Sequence, residues 1–282
     1  MSTSAVRAAG PFHALLTSRA VIAVGGPDWR GYLQGLVTQD VETLQPGEIR
    51  FAALLTPQGR LLFDLFLIGH EGGCLIDCAA EHRPSLLQRL KMYRLRAKVE
   101  LAEADTEVSA LWNAAEAPAG FAPDPRAAGL GFRGYGAPAP ADATATGEAA
   151  YERHRFALGL PGPADWGHDR SYPIEANFDL LGGIDFRKGC FVGQETTSRM
   201  KRRGTIKSRM APIAFDGPSP EPGAGLLSGG LRAGQVASGF EGGAMALLRL
   251  DRLAEGAMTL EDGRTWRVNW PDWMAGADGN NP

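Results

Sequence analysis

Residues 188–195 read KGCFVGQE and run directly into TTSRMKRRG at 196–204. A single cysteine, Cys190, stands between a Lys-Gly pair and a Gly-Gln-Glu, just ahead of a dense basic run. Arg187 and Lys188 precede it, and the QETTSRM that follows (194–200) has the composition of a helix. A thiol near a helix N-terminus and two cations is expected to ionise below the reference of about 8.5, since both favour the thiolate. Glu195 opposes that shift if its carboxylate is close. Gly189 and Gly193 allow a tight turn or the close approach of a ligand. The same residues also describe a cysteine buried in a glycine-bounded turn, and on residue types alone the two readings stand level.

The rest of the chain narrows what Cys190 has to work with. The other two cysteines, Cys74 and Cys78, lie in the strand-like GGCLIDCAA. Four steps along a strand separate them by about 13 Å, too far for one metal or one disulfide. They read as small core residues. None of the five histidines (His13, His70, His82, His154, His168) has a supporting local pattern, so neither a Cys-His hydrolase nor a metal cage is expected. Arg199 to Arg209, RMKRRGTIKSR, carries six basic residues and no acid. Such a run grips an anionic tail, a phosphate or an RNA backbone, or is simply a solvated helix end. With no aromatic interleaved, it is not a single-strand stacking platform. Upstream, SYPIEANFDLLGGIDF (171–186) sets Glu175 among apolar residues. A carboxylate there needs hydrogen-bond donors. The guanidine-like edge of a pterin or guanine offers two; so do backbone amides or an arginine.

The 282 residues suffice for one large domain or two to three smaller ones. A net charge of −3 places any basic site locally rather than over the whole surface. The 37 glycines favour turns and short strands over a helical bundle. No apolar run approaches the ~18–20 residues of a membrane span. MSTSAVRAAGPFHALL at the N-terminus lacks the pattern of a signal or transit peptide, so the default expectation is cytosolic. Three cysteines argue against a disulfide framework. Periodicity predicts a strand at 18–26, a helix at 27–41, a hairpin at 49–69 turning at Thr56-Pro57-Gln58-Gly59, and a strand at 74–80. An amphipathic helix at 83–95 and a strand at 97–104 follow, an α+β order. A strand within 124–135, a loop or linker at 137–150 and a short helix at 151–161 are expected next. From 211 onward, short apolar runs cut by glycines predict a small all-β module.

YPIEANFDLLGGIDFRKGCFVGQETTSRMKRRG, with YLQGLVTQDV (32–41), LLTPQGRLLFDLFL (54–67), YRLRAKVEL (93–101), DPRAAGLGFR (124–133) and the closing GQVASG (234–239) and ALLRLD (246–251) in the same order, resembles the YgfZ-type folate-binding proteins and their mitochondrial relatives. That family assists iron–sulfur protein maturation and shares the fold of the glycine-cleavage T-protein. The resemblance implies a three-domain ring with two interleaved α+β domains and a C-terminal small β-barrel. Residues 1–50 and 105–205 would form the folate-binding part, 51–104 a second α+β domain, and 206–282 the barrel. It implies a tetrahydrofolate pocket in which Glu175 contacts the pterin, with Asn177, Gly189, Gly193, Gln194, Glu195, Arg199 and, more loosely, Arg209 beside the folate. Cys190, supported by Lys188, would be the functional thiol, and no resident metal is implied. Iron–sulfur enzymes or cluster-assembly proteins would be the partners, with a tie to tRNA modification but no direct nucleic-acid contact. A folate-dependent one-carbon transferase or demethylase and an RNA-binding module are the alternatives. Two departures bear on the first. Ser85 falls near the aspartate that supports aminomethyl transfer in T-proteins, and Ala157 stands where they have a glutamate, so glycine-cleavage activity is not expected.

Overall fold

The computed structural model describes residues 10–202, 204, 206–253 and 256–276. Arg203 and the first nine residues of the N-terminal stretch lie outside them. The chain starts with β1 (Phe12–Leu15), β2 (Arg19–Gly25), α1 (Trp29–Gln34), β3 (Ile49–Leu55), β4 (Leu61–His70), β5 (Gly73–Ala79), α2 (Arg83–Arg94) and β6 (Glu100–Ala104). It continues through β7 (Val108–Trp112), β8 (Phe121–Pro123), β9 (Phe132–Tyr135), β10 (Thr144–Thr146), α3 (Glu148–Ala157), α4 (Pro163–Trp166) and α5 (Gln194–Arg202). It ends with β11 (Ser208–Phe215), β12 (Gly225–Ser228), β13 (Leu231–Phe240), β14 (Gly243–Arg249), β15 (Met258–Leu260) and β16 (Trp266–Val268).

Three sheets result, ordered β3-β4-β5-β2-β6, β10-β1-β7-β9-β8 and β15-β12-β13-β14-β11-β16. The first is antiparallel throughout. Its strand β4, LLFDLFLIGH, is buried along nearly its whole length because both faces of the sheet are covered. Leu33, Leu65, Leu67, Ile76, Leu86 and Leu90 pack one face under α1 and α2. Phe51, Phe66 and Val21 on the other face join Ala110, Trp112, Phe178 and Met210 in a core shared by all three sheets. The third sheet curls on itself. Its edge strands β15 and β16 meet through a Thr259–Thr265 bridge, which makes a nearly closed six-stranded barrel.

Several expected boundaries move. The helix of 27–41 stops at Gln34, since Gly35 caps it and Thr38 is drawn away: its N–H donates to Ala53 O and its hydroxyl to Gly183 O. The expected linker at 137–150 holds β10, paired in parallel with β1, and the start of α3. Glu148 fixes it by accepting from Thr17 Oγ1 and from the Ser18 N–H and hydroxyl. The strand of 124–135 is two strands, because Asp124 turns the chain by accepting from the Arg126 N–H. β2 pairs with β5 and β6, so the first 50 residues are shared between two sheets instead of forming one piece with 105–205.

A buried ionic cluster ties the two α+β sheets. Arg19 donates to Asp77 Oδ1 at 2.6 Å and to Asp64 Oδ2 at 2.7 Å. Arg133, from the neighbouring sheet, reaches Asp77 Oδ2 at 2.6 Å, and Arg126 pairs with Asp124 at 2.8 Å. Phe66 lies beneath all three guanidiniums, at 5.5, 4.9 and 3.9 Å from Arg19, Arg126 and Arg133. Burial alone would raise the Asp77 pKa; Arg19 and Arg133 outweigh it and hold the carboxyl below the usual range. A depressed folded pKa gives stability that is complete above the unfolded value of about 3.9 and is lost as pH falls through the folded one. Asp77→Asn should therefore cost about 3–5 kcal/mol at neutral pH by leaving buried guanidiniums short of charge. The difference from wild type should shrink below about pH 4, as urea denaturation at both pH values will show.

Candidate functional site

The KGCFVGQE segment lies on a cradle built by residues 34–39. Lys188 Nζ donates to the carbonyls of Gln34, Val37 and Gln39 at 2.8, 2.6 and 2.9 Å. Val192 N–H donates to Gly35 O, Asp185 N–H to Thr38 O, and Gln39 Nε2 to Gly182 O. Gly193 is required by contact as well as conformation. Its φ is +80°, and a Cβ there would sit 2.6 Å from Thr56 O and 3.0 Å from the Cα of Gly59. Gly59, at φ +85°, would in turn drive a Cβ to 2.8 Å from that of Thr196. The TPQG hairpin tip and the GQE turn thus interlock through their glycines.

This geometry reassigns Lys188. Its ammonium caps backbone carbonyls and does not serve the thiol. Burial lowers its pKa to about 8, against the pull of Asp40, Asp185 and Glu42. Helix α5 begins at Gln194, four residues beyond Cys190, so the thiol stands outside the first turn of the helix. What the structure gives Cys190 is access: it is exposed, as is Gly189, around which no atom lies within 4 Å of a Cβ position. Cys74 and Cys78 are buried on β5, and burial pushes both thiols up to about 12.

Glu175 lies in a series of turns over 172–182. It is half-buried, and its Oε2 accepts the Tyr172 N–H at 3.0 Å. Burial raises its pKa; that hydrogen bond and Arg60 oppose the rise. Its side chain borders a cavity of about 560 Å³ together with Tyr172, Arg199, Lys207 and Arg249. Tyr172, in turn, lies 5.2 Å from the Arg60 guanidinium. Of the residues expected beside a folate, Glu175 and Arg199 line this cavity. Gln194 and Glu195 open α5, whose next residue, Thr196, does line it. Asn177 and Arg209 are occupied elsewhere. Arg209 makes two 2.9 Å bonds to Asp179 and further bonds to Asn177 Oδ1 and Ile174 O. Asn177, at φ +62°, donates from Nδ2 to Met210 O. Both are buried bolts between this segment and β11. Tyr172, Lys207 and Arg249 all fall within stretches that sequence reading singles out, Arg249 in ALLRLD (246–251), but none of the three is marked there as a site residue.

Among the described residues, the basic run is divided between surroundings. Arg199 and Lys207 line the cavity, Lys201 lies 3.6 Å from Asp179, and Arg209 is buried. Among the described residues, no group of three or more His, Cys, Asp or Glu is placed to hold a metal ion. Ser85 donates to His82 O at the start of α2, and Ala157 is the last residue of α3.

Residues 207–276 match the family model described as the C-terminal β-barrel domain of CAF17. An iron-sulfur cluster assembly factor IBA57 homolog, mitochondrial, from Neurospora crassa is 35% identical over 239 residues, covering 73% of this chain and 54% of that protein. The chain thus spans little more than half the length of that relative. The homolog from Chaetomium globosum is 30% identical, with 94% of this chain and 78% of that protein covered. The crystal structure of glycine cleavage system aminomethyltransferase T from Bartonella henselae superposes with a TM-score of 0.75 at 16% identity, over 94% of this chain and 86% of that one. The T-protein-type fold is therefore present, with its α+β sheets and C-terminal barrel. The expectation of a cytosolic location is corrected by the relatives, which are mitochondrial proteins. That expectation rested on an N-terminal stretch without the pattern of a signal or transit peptide and on the lack of an apolar span, and the second feature is the same for a protein of either compartment.

Two measurements check the reassigned roles. In the native protein iodoacetamide should modify Cys190 first, while Cys74 and Cys78 react only on unfolding; mass spectrometry of tryptic peptides reads the order. Lys188 has its folded pKa below the unfolded value, so it adds stability as pH rises from about 8 toward about 10.5. Lys188→Met should lose that gain. Its free-energy gap to wild type in urea should therefore differ between about pH 7 and about pH 9.5.

Proposed function

The chain belongs to the family of the iron-sulfur cluster assembly factor IBA57, and we propose that it is a reduced-folate-binding accessory protein for the assembly or repair of iron–sulfur proteins, with Cys190 as its working thiol. The observation that carries this reading is the separation of the thiols. Two are buried and protonated, and the third is held in the open on a loop fixed along its length by the 34–39 cradle. A rigid, accessible thiol suits transient ligation of an iron in a cluster presented by a partner, or exchange with a partner's sulfur.

The cavity beside Glu175 has the donor set a folate calls for. A half-buried carboxylate stands ready for the paired N–H groups of the pterin, Tyr172 offers a ring, and Arg199, Lys207 and Arg249 offer cations for the carboxylates of the glutamate tail. Its volume falls within the ~300–1,000 Å³ usual for small-molecule sites. A reduced folate bound there supplies an electron-rich pterin amine able to carry a one-carbon unit. The chain's own part is to orient that ring through Glu175 and shield it from water. One-carbon transfer is the weaker reading, because the Ser85 hydroxyl is given to a backbone carbonyl and brings no charge.

Calorimetry with tetrahydrofolate tests the cavity. Glu175→Gln should weaken binding by roughly 10- to 150-fold, from loss of a charge-assisted pair of about 1.5–3 kcal/mol. The raised pKa of Glu175 sets a second sign: folding favours its protonated form, and the carboxylate's burial opposes stability as pH rises through that pKa. The ligand-free Gln variant should therefore melt no lower than wild type at neutral pH. An unchanged dissociation constant would remove Glu175 from the site. The thiol is tested apart: Cys190→Ser should fold normally yet fail to restore cluster-dependent enzymes in cells that rely on this protein. Full rescue at equal abundance would place the function elsewhere.

A further inference from the structure

At the far end of α2 the chain does something that folding does not explain. Leu95, which ends the helix, adopts φ 45° and ψ −108°, and its side chain is 88% exposed. A bulky residue at a positive φ is strained, and strain that persists points toward function. Here no burial offsets it. Met92, one turn back, is 70% exposed. Lys91, Arg94, Arg96 and Lys98 surround the pair, all exposed. Among the described residues none of the four has a carboxylate within ion-pair distance, whereas Arg83 nearby pairs with Glu103 at 2.7 Å. Four unpaired cations in eight residues stand out on a chain whose net charge is −3.

The loop that carries them is held firmly. Lys98 N–H donates to Asp28 Oδ2 at 2.7 Å, Asp28 N–H donates to Lys98 O, and Ala97 N–H donates to Arg94 O. Gly26 packs so closely beneath that a Cβ there would meet Lys98 O at 2.4 Å. A shallow groove of about 490 Å³ runs from Pro84 and Leu87 to Lys91 and Met92 beside it. A rigid apolar knob ringed by cations pays little ordering entropy on association.

We propose that this knob is a docking site for an acidic polypeptide segment with apolar side chains at its centre. Leu95 and Met92 pack against those side chains, and the four cations face the flanking carboxylates. Charge complementarity names the sign of the partner, and Glu103, the one acid lining the groove, is already paired with Arg83. Two apolar side chains offer little area for insertion into lipid, where affinity scales with buried apolar surface. The site uses neither Glu175 nor Cys190 and stands independently of the folate reading.

The probe is a fluorescein-labelled dodecapeptide with a central Leu-Phe-Leu flanked by glutamates, followed by anisotropy on the full chain. It should bind, and binding should weaken as salt is raised. Leu95→Gly should weaken it about tenfold or more. The same variant should melt at or above wild type, because glycine tolerates a positive φ and no packing is lost. Arg96→Glu should weaken binding without lowering the melting temperature. Four results would overturn the proposal: no binding of the peptide; equal binding of an all-glutamate peptide, which marks a mere polyanion contact; no effect of Leu95→Gly; and binding to phosphatidylglycerol vesicles in place of the peptide, which assigns the knob to a lipid surface.

Discussion

The architecture depends on moving three guanidiniums and three carboxylates out of water together. Arg19, Arg126 and Arg133 meet Asp64, Asp77 and Asp124 where the two α+β sheets come together, over the face of Phe66. Each ion alone would cost several kcal/mol to bury. The cluster is tolerable because each guanidinium meets a carboxylate and Tyr135 and Tyr151 add hydrogen bonds to it. Its geometry is also discriminating. Arg133 and Tyr135 on β9 reach Asp77 on β5, so a shifted register in either sheet would leave charges buried and unpaired. The apolar core beneath would tolerate a slip more easily, since Leu, Ile and Phe exchange neighbours at modest cost.

With those sheets fixed, the KGCFVGQE segment has a surface to lie against. Gly193 touches Gly59 at the tip of the β3–β4 hairpin, and Lys188 takes the carbonyls that the end of α1 leaves open. The first contact needs absent side chains; the second needs a long one with several donors. Gly193 makes the tight turn its residue type allows, and Lys188 gives its ammonium to backbone carbonyls. Both are reasons why the segment between them, carrying Cys190, projects as a fixed loop.

What the sequence made legible follows from range. Alternation and helical spacing located the hairpin at 49–69, the helix at 83–95 and the all-β end, because those patterns record burial against near neighbours. Cys74 and Cys78 were recognisable as core for the same reason. Partnership across the chain was not legible. Nothing near Lys188 says that its ammonium lies 2.6 Å from Val37 O, 151 residues away in sequence. Nothing in RMKRRGTIKSR separates Arg209, which is buried against Asp179, from Arg199, which faces a cavity. Glu148 likewise turned an Ala- and Pro-rich stretch from linker into structure by capturing Ser18. The family resemblance supplied the fold and the candidate cavity, but it could not distinguish residues that face a ligand from those that hold the wall.

That distinction is sharpest in the turn around Glu175. Its backbone carbonyl accepts the Met210 N–H at 2.8 Å, while Asn177, two residues on, donates to Met210 O. Arg209, the residue before Met210, returns four bonds to the same turn. The turn is thereby stitched to the first strand of the barrel, and its left-handed Asn177 is held by contacts on every side. Only the side chain of Glu175 is left with its carboxylate at a cavity wall, half-desolvated and raised in pKa. A carboxylate so placed opposes folding slightly and gains from any ligand that brings donors to it. The surrounding bonds to Met210 and Asp179 are what allow the protein to keep an under-satisfied acid at that wall, and they make the barrel part of the site though its strands contribute few of the cavity's side chains.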